Sequence, residues 1–257
     1  MTDIYKKILE LRDQNKPAAL VTVVATKGST PRDAGAKMLV CADGTVYGTI
    51  GGSAVEAMLI EEAKKCIRSG EFKTEWHDLD DREKQDTGMI CGGKMEFFIE
   101  PMMPAPHVYI FGGGHVALPL ARFASQIGFS YTIIEDREEF AQKERFPDAR
   151  DIIITSAADI NENILFKESD YIAIVTRSHD LDYKSLKVVL NSEVKYIGLI
   201  ASKIKKKQIF ARLKEEGFPE EKINQIHSPI GLDIAAQTPE EIAISILAEL
   251  IQVKNKE

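Results

Sequence analysis

The feature that most constrains this chain is a strand that runs directly into a cluster of glycines. The segment HVYIF, His107 to Phe111, is followed by GGGH and then by the apolar helical pattern VALPLARFA, giving Gly112-x-Gly114-x-x-Ala117. Glycines at a strand-to-helix turn allow close backbone approach and turn a helix N-terminus toward an anion such as a pyrophosphate. The next apolar segment, SYTIIED, ends on Glu135 and Asp136, within roughly the ~20-residue offset expected of a ribose-binding acid. The short apolar runs DIIIT, YIAIVT and YIGLIA follow, separated by helical or loop sequence. Strands that alternate with helices imply a parallel sheet covered on both faces. The expectation is an α/β chain whose C-terminal part is a Rossmann-like parallel-sheet domain.

Upstream of that turn the pattern is different. Ile4, Ile8 and Leu11 put one apolar face on a helix over residues 3–16, and AALVTVVAT reads as a buried strand. Asp43-Gly44 between KMLVC and TVYGTI marks a hairpin. A helix over residues 53–69 follows, stopped by Gly70, and TEWHDL and KMEFFIEP read as two strands joined by DTGMICGG. PMMPAP, residues 101–106, carries three prolines and has the character of a linker. The expected division is a smaller N-terminal α+β domain, residues 1–103, and the Rossmann-like domain, residues 104–257.

Composition removes several classes of function. With 257 residues, a formal net charge of -7 and 28% charged residues, the chain lacks the basic excess that phosphate neutralisation on a nucleic acid requires. Three widely spaced cysteines, Cys41, Cys66 and Cys91, form neither a disulfide framework nor a zinc pattern, so no metal site is expected. The N-terminal segment is charged from its third residue and lacks a signal peptide's apolar core, and EIAISILAELIQV is too short to span a bilayer. A cytoplasmic location without a membrane span is the expectation.

Candidate site residues lie in both halves. Gly112, Gly113 and Gly114 form the turn for a nucleotide's phosphates, Asp136 is the candidate ribose acid, and Arg137 is either a phosphate partner or a solvated strand end. His179 stands in TRSHD after the strand YIAIV, at the strand end where open α/β sheets bind ligands, so it orients a ligand, transfers a proton or caps the following helix. Ser202 is placed to cap the basic helix KIKKKQIFARL. In the N-terminal half, Gly51 and Gly52 precede Ser53-x-x-Glu56, which reads as a capping box and equally as an anion site. Arg32, Asp33 and Lys37 flank this region in sequence. Cys91, in the glycine-flanked TGMICGG, reads as an accessible thiol, whereas Cys66 and Cys41 read as buried structural ones.

Seven segments together resemble the XdhC/CoxI family of xanthine dehydrogenase accessory proteins: GSTPRDAGAKMLV, DGTVYGTIGGSAVE, CGGKMEFFIEP, HVYIFGGGHVALPLARFASQIGF, HDLDYKSL, YIGLIAS and SPIGLDIAAQTPEEIAISILAEL. They cover nearly the whole chain in family order. The resemblance implies an accessory chaperone that binds molybdenum cofactor, as molybdopterin or its dinucleotide form, assists its sulfuration by a cysteine desulfurase and hands it to a xanthine-dehydrogenase-type apo-enzyme, without metabolite turnover. It makes Gly51, Gly52, Cys91, Gly92 and the turn Gly112 to His115 the candidate cofactor contacts, and a second copy of the chain is a further candidate partner. Departures from the family pattern are Ser53, where some members carry cysteine, the run Thr176 to Asp180, and Ala201-Ser202-Lys203. The alternatives are an NAD(P)-dependent oxidoreductase that uses Asp136 for the ribose and His179 as acid, and a pure interaction module with an empty Rossmann pocket.

Overall fold

The structure, a computed structural model, describes residues 3–79, 93–155, 160 and 164–256. The chain divides into two compact units, Met1–Ala105 and Pro106–Glu257.

The first unit is built on an antiparallel sheet. Its elements are α1 (Ile4–Asp13), β1 (Ala18–Lys27), β2 (Lys37–Cys41), β3 (Val46–Gly48), α2 (Ser53–Ser69), β4 (Lys73–Asp78) and β5 (Lys94–Met102), with strand order β3-β2-β1-β5-β4. Alternate residues of β1 and β2 point to opposite faces. Ala19, Val21, Met38 and Val40 pack with Leu59, Ala63 and Cys66 of α2, while Ala18, Leu39 and Cys41 pack with Leu11 of α1. A helix on each face explains why AALVTVVAT is apolar throughout rather than alternating. Asp3 caps α1 by accepting the Tyr5 N–H at 3.0 Å. The Asp43-Gly44 hairpin forms as expected, with Gly44 at φ +88.

The expected linker begins too early. Pro101 and Met102 belong to β5 and pair with Ala19 and Ala18 of β1. Proline is tolerated there because β4 runs alongside β5 only as far as Ile99, leaving Pro101 a free strand edge.

The second unit is a parallel sheet of β6 (His107–Phe111), β7 (Ser130–Glu135), β8 (Asp151–Ile154), β9 (Tyr171–Ile174), β10 (Tyr196–Leu199) and β11 (Ile226–His227). The order is β11-β10-β9-β6-β7-β8, with every pairing parallel. Strand order therefore reverses between β6 and β9, the Rossmann arrangement in which the carboxyl ends of those two strands flank a crevice. Helices α3 (Ala117–Gln126) and α7 (Pro239–Asn255) cover one face, and α4 (His179–Val189) and α5 (Lys203–Glu215) the other. Val108 and Ile110 of β6 join Leu120, Ile246 and Leu250 on the first face, and Phe111 joins Leu186 and Leu213 on the second. Each fully buried large aliphatic contributes about 1.5–3 kcal/mol. A one-turn helix, α6 (Glu220–Asn224), precedes β11.

Helix α7 starts on a complete capping box, Thr238 with Glu241, and carries proline at its first position. Farther along α7, the buried Glu249 accepts from the Tyr196 hydroxyl, from His227 Nδ1 at 2.7 Å and from the Gly231 N–H at 2.7 Å. One carboxylate thus ties β10, β11 and the SPIGLD loop to the last helix. Among the described residues no helix is long and apolar enough to cross a membrane.

The glycines of the β6–α3 turn differ in what they demand. Gly112 sits at φ +108 and a Cβ there would lie 2.7 Å from the Val175 carbonyl oxygen, whereas a Cβ on Gly114 meets nothing within 4 Å. Gly112→Ala is therefore expected to lose about 2–4 kcal/mol from left-handed strain and backbone collision. Gly114→Ala is expected to stay within about 1 kcal/mol of the parent, as a surface substitution does. Urea denaturation of the two variants checks both expectations.

Candidate functional site

The carboxyl edge of the parallel sheet gathers most of the candidate residues, and an internal carboxylate organises it. Gly112 N–H bonds to the Ile134 carbonyl at 2.8 Å, continuing the sheet into the turn. Gly113 N–H donates to Glu135 Oε2 at 2.7 Å, and the Gly113 carbonyl accepts from Arg145 at 2.9 Å. Glu135 is buried and also accepts from Arg137, through the backbone N–H at 3.2 Å and Nε at 3.0 Å, and from Arg177 Nη1 at 3.3 Å. The N–H that the sequence offers to a pyrophosphate is thus already bonded to a carboxylate of the same unit. Gly114 and the exposed His115 form the open part of the turn, at the start of a helix that has no side-chain cap.

Asp136 and Arg137 are both engaged. Both oxygens of Asp136 take the Arg177 guanidinium, which holds this carboxyl far below the ordinary carboxylate range. Arg137 stacks on the Phe140 ring at 3.7 Å while bonding Glu135. The crevice at the strand-order reversal, lined by Gly112, Glu135, Asp136, Thr176 and Arg177, keeps only about 20 Å³ of free space. His179 is exposed as the first residue of α4, and it is Ser178 that caps this helix, accepting the Leu181 N–H. Ser202 caps α5 as expected. The nicotinamide alternative gains no support: its ribose acid is clasped by an arginine, and its proposed proton donor stands at an exposed helix start.

A larger cavity, about 420 Å³, lies beside that crevice over the ends of β9 and β10. Thr176, Ser178, Asp182, Ser202, Lys205 and Pro229 contribute to its lining. Asp182 is only 4% exposed, accepts the Thr176 hydroxyl at 2.6 Å, and is pushed up to about 6 by burial. Neither Asp182 nor the bonding role of Glu135 is marked by a motif in the sequence. The signal for Asp182 was present: it shares a helical stripe with Ser185, Leu186 and Val189, so an acid occupies a core-facing position.

In the first unit three glycine-containing segments meet. Gly51, at φ +136, leaves room for Pro31, whose Cγ would be 2.5 Å from a Cβ at that position, and Arg32 packs beside it. A Cβ on Gly93 would lie 2.3 Å from the Ser29 carbonyl oxygen. The expected capping box is replaced by a different arrangement: Gly52 is the N-cap residue and Ser53 already belongs to the helix. Glu56 reaches back to the Thr49 hydroxyl, the Ile50 N–H at 3.1 Å and the Gly51 N–H at 3.3 Å. Cys91 and Gly92 lie outside the described residues. Cys41 and Cys66 are buried free thiols, raised above the ordinary thiol range by that burial. Among the described residues no cluster of His, Cys, Asp or Glu could hold a metal ion.

Asp182 supplies a stability test. Because burial raises its folded value, its favourable contribution is complete below the ordinary carboxylate range and is lost as pH rises through about 6. Asp182→Asn is expected to stabilise the fold at about pH 7.5 by at most about 3 kcal/mol, at ~1.4 kcal/mol per pH unit, and to lose that gain by about pH 4. Thermal melts across this range check it.

Residues 108–250 match the XdhC Rossmann domain, and residues 11–77 match the XdhC and CoxI family. The chain is 34% identical over 255 residues to YqeB of Escherichia coli, covering 98% of this chain and 46% of that one, so it spans about half the length of this relative. It is 23% identical over 309 aligned positions to the molybdenum cofactor insertion chaperone PaoD of Escherichia coli, covering 99% of this chain and 90% of PaoD. A crystal structure described as a xanthine dehydrogenase from Bacillus halodurans is 26% identical, with a TM-score of 0.56 over 100% of this chain and 97% of that one. Carrying both matched regions in their order, on a Rossmann unit with the expected strand arrangement, the chain belongs to the XdhC/CoxI family.

Proposed function

We propose that the chain is a maturation factor that binds molybdenum cofactor and delivers it to a xanthine-dehydrogenase-type molybdoenzyme. The observation that carries this reading is the similarity to PaoD, a molybdenum cofactor insertion chaperone, over 99% of this chain and 90% of PaoD. The carboxyl edge of the parallel sheet fits such cargo. Gly114 and His115 leave the start of α3 open to a phosphate, the backbone of Gly112 and Gly113 fixes the turn, and Arg177, held by Glu135 and Asp136, is a cation at the same edge. Asp136 and Arg137 act here as positioning residues for Arg177 and Glu135, and His179 marks the exposed rim. In the first unit Gly51 shapes the loop packed on Pro31, Gly52 opens α2, and Cys91 with Gly92 contacts the cofactor where a cysteine desulfurase sulfurates it. A homodimer is the proposed handover form.

The test is anaerobic purification from cells replete in the cofactor, followed by incubation with a molybdenum-free apo-enzyme of the xanthine dehydrogenase type. The expected outcome is co-elution of pterin and molybdenum with the chain and a chain-dependent gain of client activity. Absence of both overturns the proposal. Cys91→Ser is expected to leave client molybdenum content unchanged while lowering its active fraction, with cyanolysable sulfur as the readout.

A further inference from the structure

The cavity over the ends of β9 and β10 has the construction of a site for a ring. Its free space, about 420 Å³, falls within the size range of small-molecule sites, about 300–1,000 Å³. Ile200, Ala201 and Pro229 provide apolar wall, and Thr176, Arg177, Ser178, Ser202 and Lys205 provide polar rim, the Arg177 guanidinium being clasped by Asp136. Asp182 also lines it, as a first-turn acid of α4 that accepts the Thr176 hydroxyl. It projects from the core-facing stripe of α4 and is 4% exposed, and among the described residues it has no ion-pair partner within bonding distance. A buried carboxylate held by one threonine keeps lone pairs that further donors would stabilise.

What neutralises such a group best is a pair of parallel N–H donors, the geometry that makes bidentate carboxylate pairs strong. Guanine and pterin rings both present an N–H beside an amino group on one edge. Adenine presents an amino group beside a bare ring nitrogen, so an ionised carboxylate meets a lone pair. Lys205, in the first turn of α5 and close enough to bias the Asp182 carboxyl electrostatically, stands at the exposed rim. A phosphate attached to the ring would be met there by the ammonium group and by the start of α5, which Ser202 caps.

We propose that this cavity binds a nitrogen heterocycle with a guanine- or pterin-type N–H and amino edge, read by Asp182, with its phosphate at Lys205. This rests on the reading of the chain as a cofactor carrier; it places the ring and its adjoining phosphate at this cavity and leaves the start of α3 to the further phosphate of a dinucleotide form.

The test is calorimetric titration of the full chain with GMP, AMP and 6-carboxypterin near neutral pH. GMP, 6-carboxypterin or both bind, and AMP binds at least about 10-fold more weakly, as the loss of one bidentate pair implies. Asp182→Asn, with its fold verified by an unchanged near-ultraviolet spectrum, removes the preference over AMP. Lys205→Ala, a surface change, weakens GMP several-fold and leaves the GMP-to-AMP ratio intact. Binding of GMP alone assigns a nucleotide, binding of 6-carboxypterin alone assigns a pterin, and either supports the site. Equal affinity for AMP, undiminished discrimination in Asp182→Asn, or no binding of any probe overturns it. Cofactor co-elution that survives Asp182→Asn sinks this site and leaves the carrier reading standing. Ring discrimination through Asp182 in a chain that never carries cofactor does the reverse.

Discussion

The carboxyl edge of the parallel sheet depends on the buried carboxylate of Glu135. It takes the N–H of Gly113 from the turn after β6, the backbone and guanidinium of Arg137 from the end of its own strand, and Arg177 from the loop after β9. Three segments far apart in sequence are thereby fixed to one atom group. Removing a partner from such a cluster leaves an uncompensated buried charge, which is why the cluster holds together as a unit. The same device recurs. Glu56 takes the N–H groups of Ile50 and Gly51, and Glu249 takes that of Gly231 together with Tyr196 and His227. At each of these glycine-bearing loops, an acid from elsewhere in the unit satisfies a backbone donor that the loop leaves unpaired.

The fold was legible where local chemistry decides it. The strand-glycine-helix run at His107 to Ala117, the Asp43-Gly44 hairpin, the stop at Gly70 and the cap at Ser202 all formed where the residues placed them, because each depends on neighbours within a few positions. Legibility failed where a distant partner decides. The spacing of Glu56 from Ser53 fits a capping box, yet its carboxylate bonds the loop that precedes the helix. Pro101 both closes the apolar run KMEFFIEP and opens the proline-rich PMMPAP, and nothing local reveals that β4 has already ended beside it. The strands β6 to β10 were visible as apolar runs, whereas the two-residue β11 and the one-turn α6 are too short to carry a periodicity.

The candidate site shows the same boundary. The glycine turn announced a Rossmann edge, but the state of that edge is set by Glu135, Asp136 and Arg177, whose separation in sequence exceeds any motif. Asp136 is 41 residues from Arg177. The turn motif alone suggested an open phosphate cradle, and the assembled edge is instead a filled crevice beside an open cavity. Asp182 was readable in principle, as an acid on the apolar stripe of the helix that the sequence starts at His179.

The carboxylate at Gly113 has a consequence for competition. A group tethered to the turn it occupies acts at an effective concentration of about millimolar or more, without diffusing away. A free anion that would use the same N–H must displace it and also overcome its charge at close range. A phosphate that would use the Gly113 N–H is thereby met by a permanent rival built into the second strand, so a dinucleotide gains less from this turn than from one whose N–H groups are free.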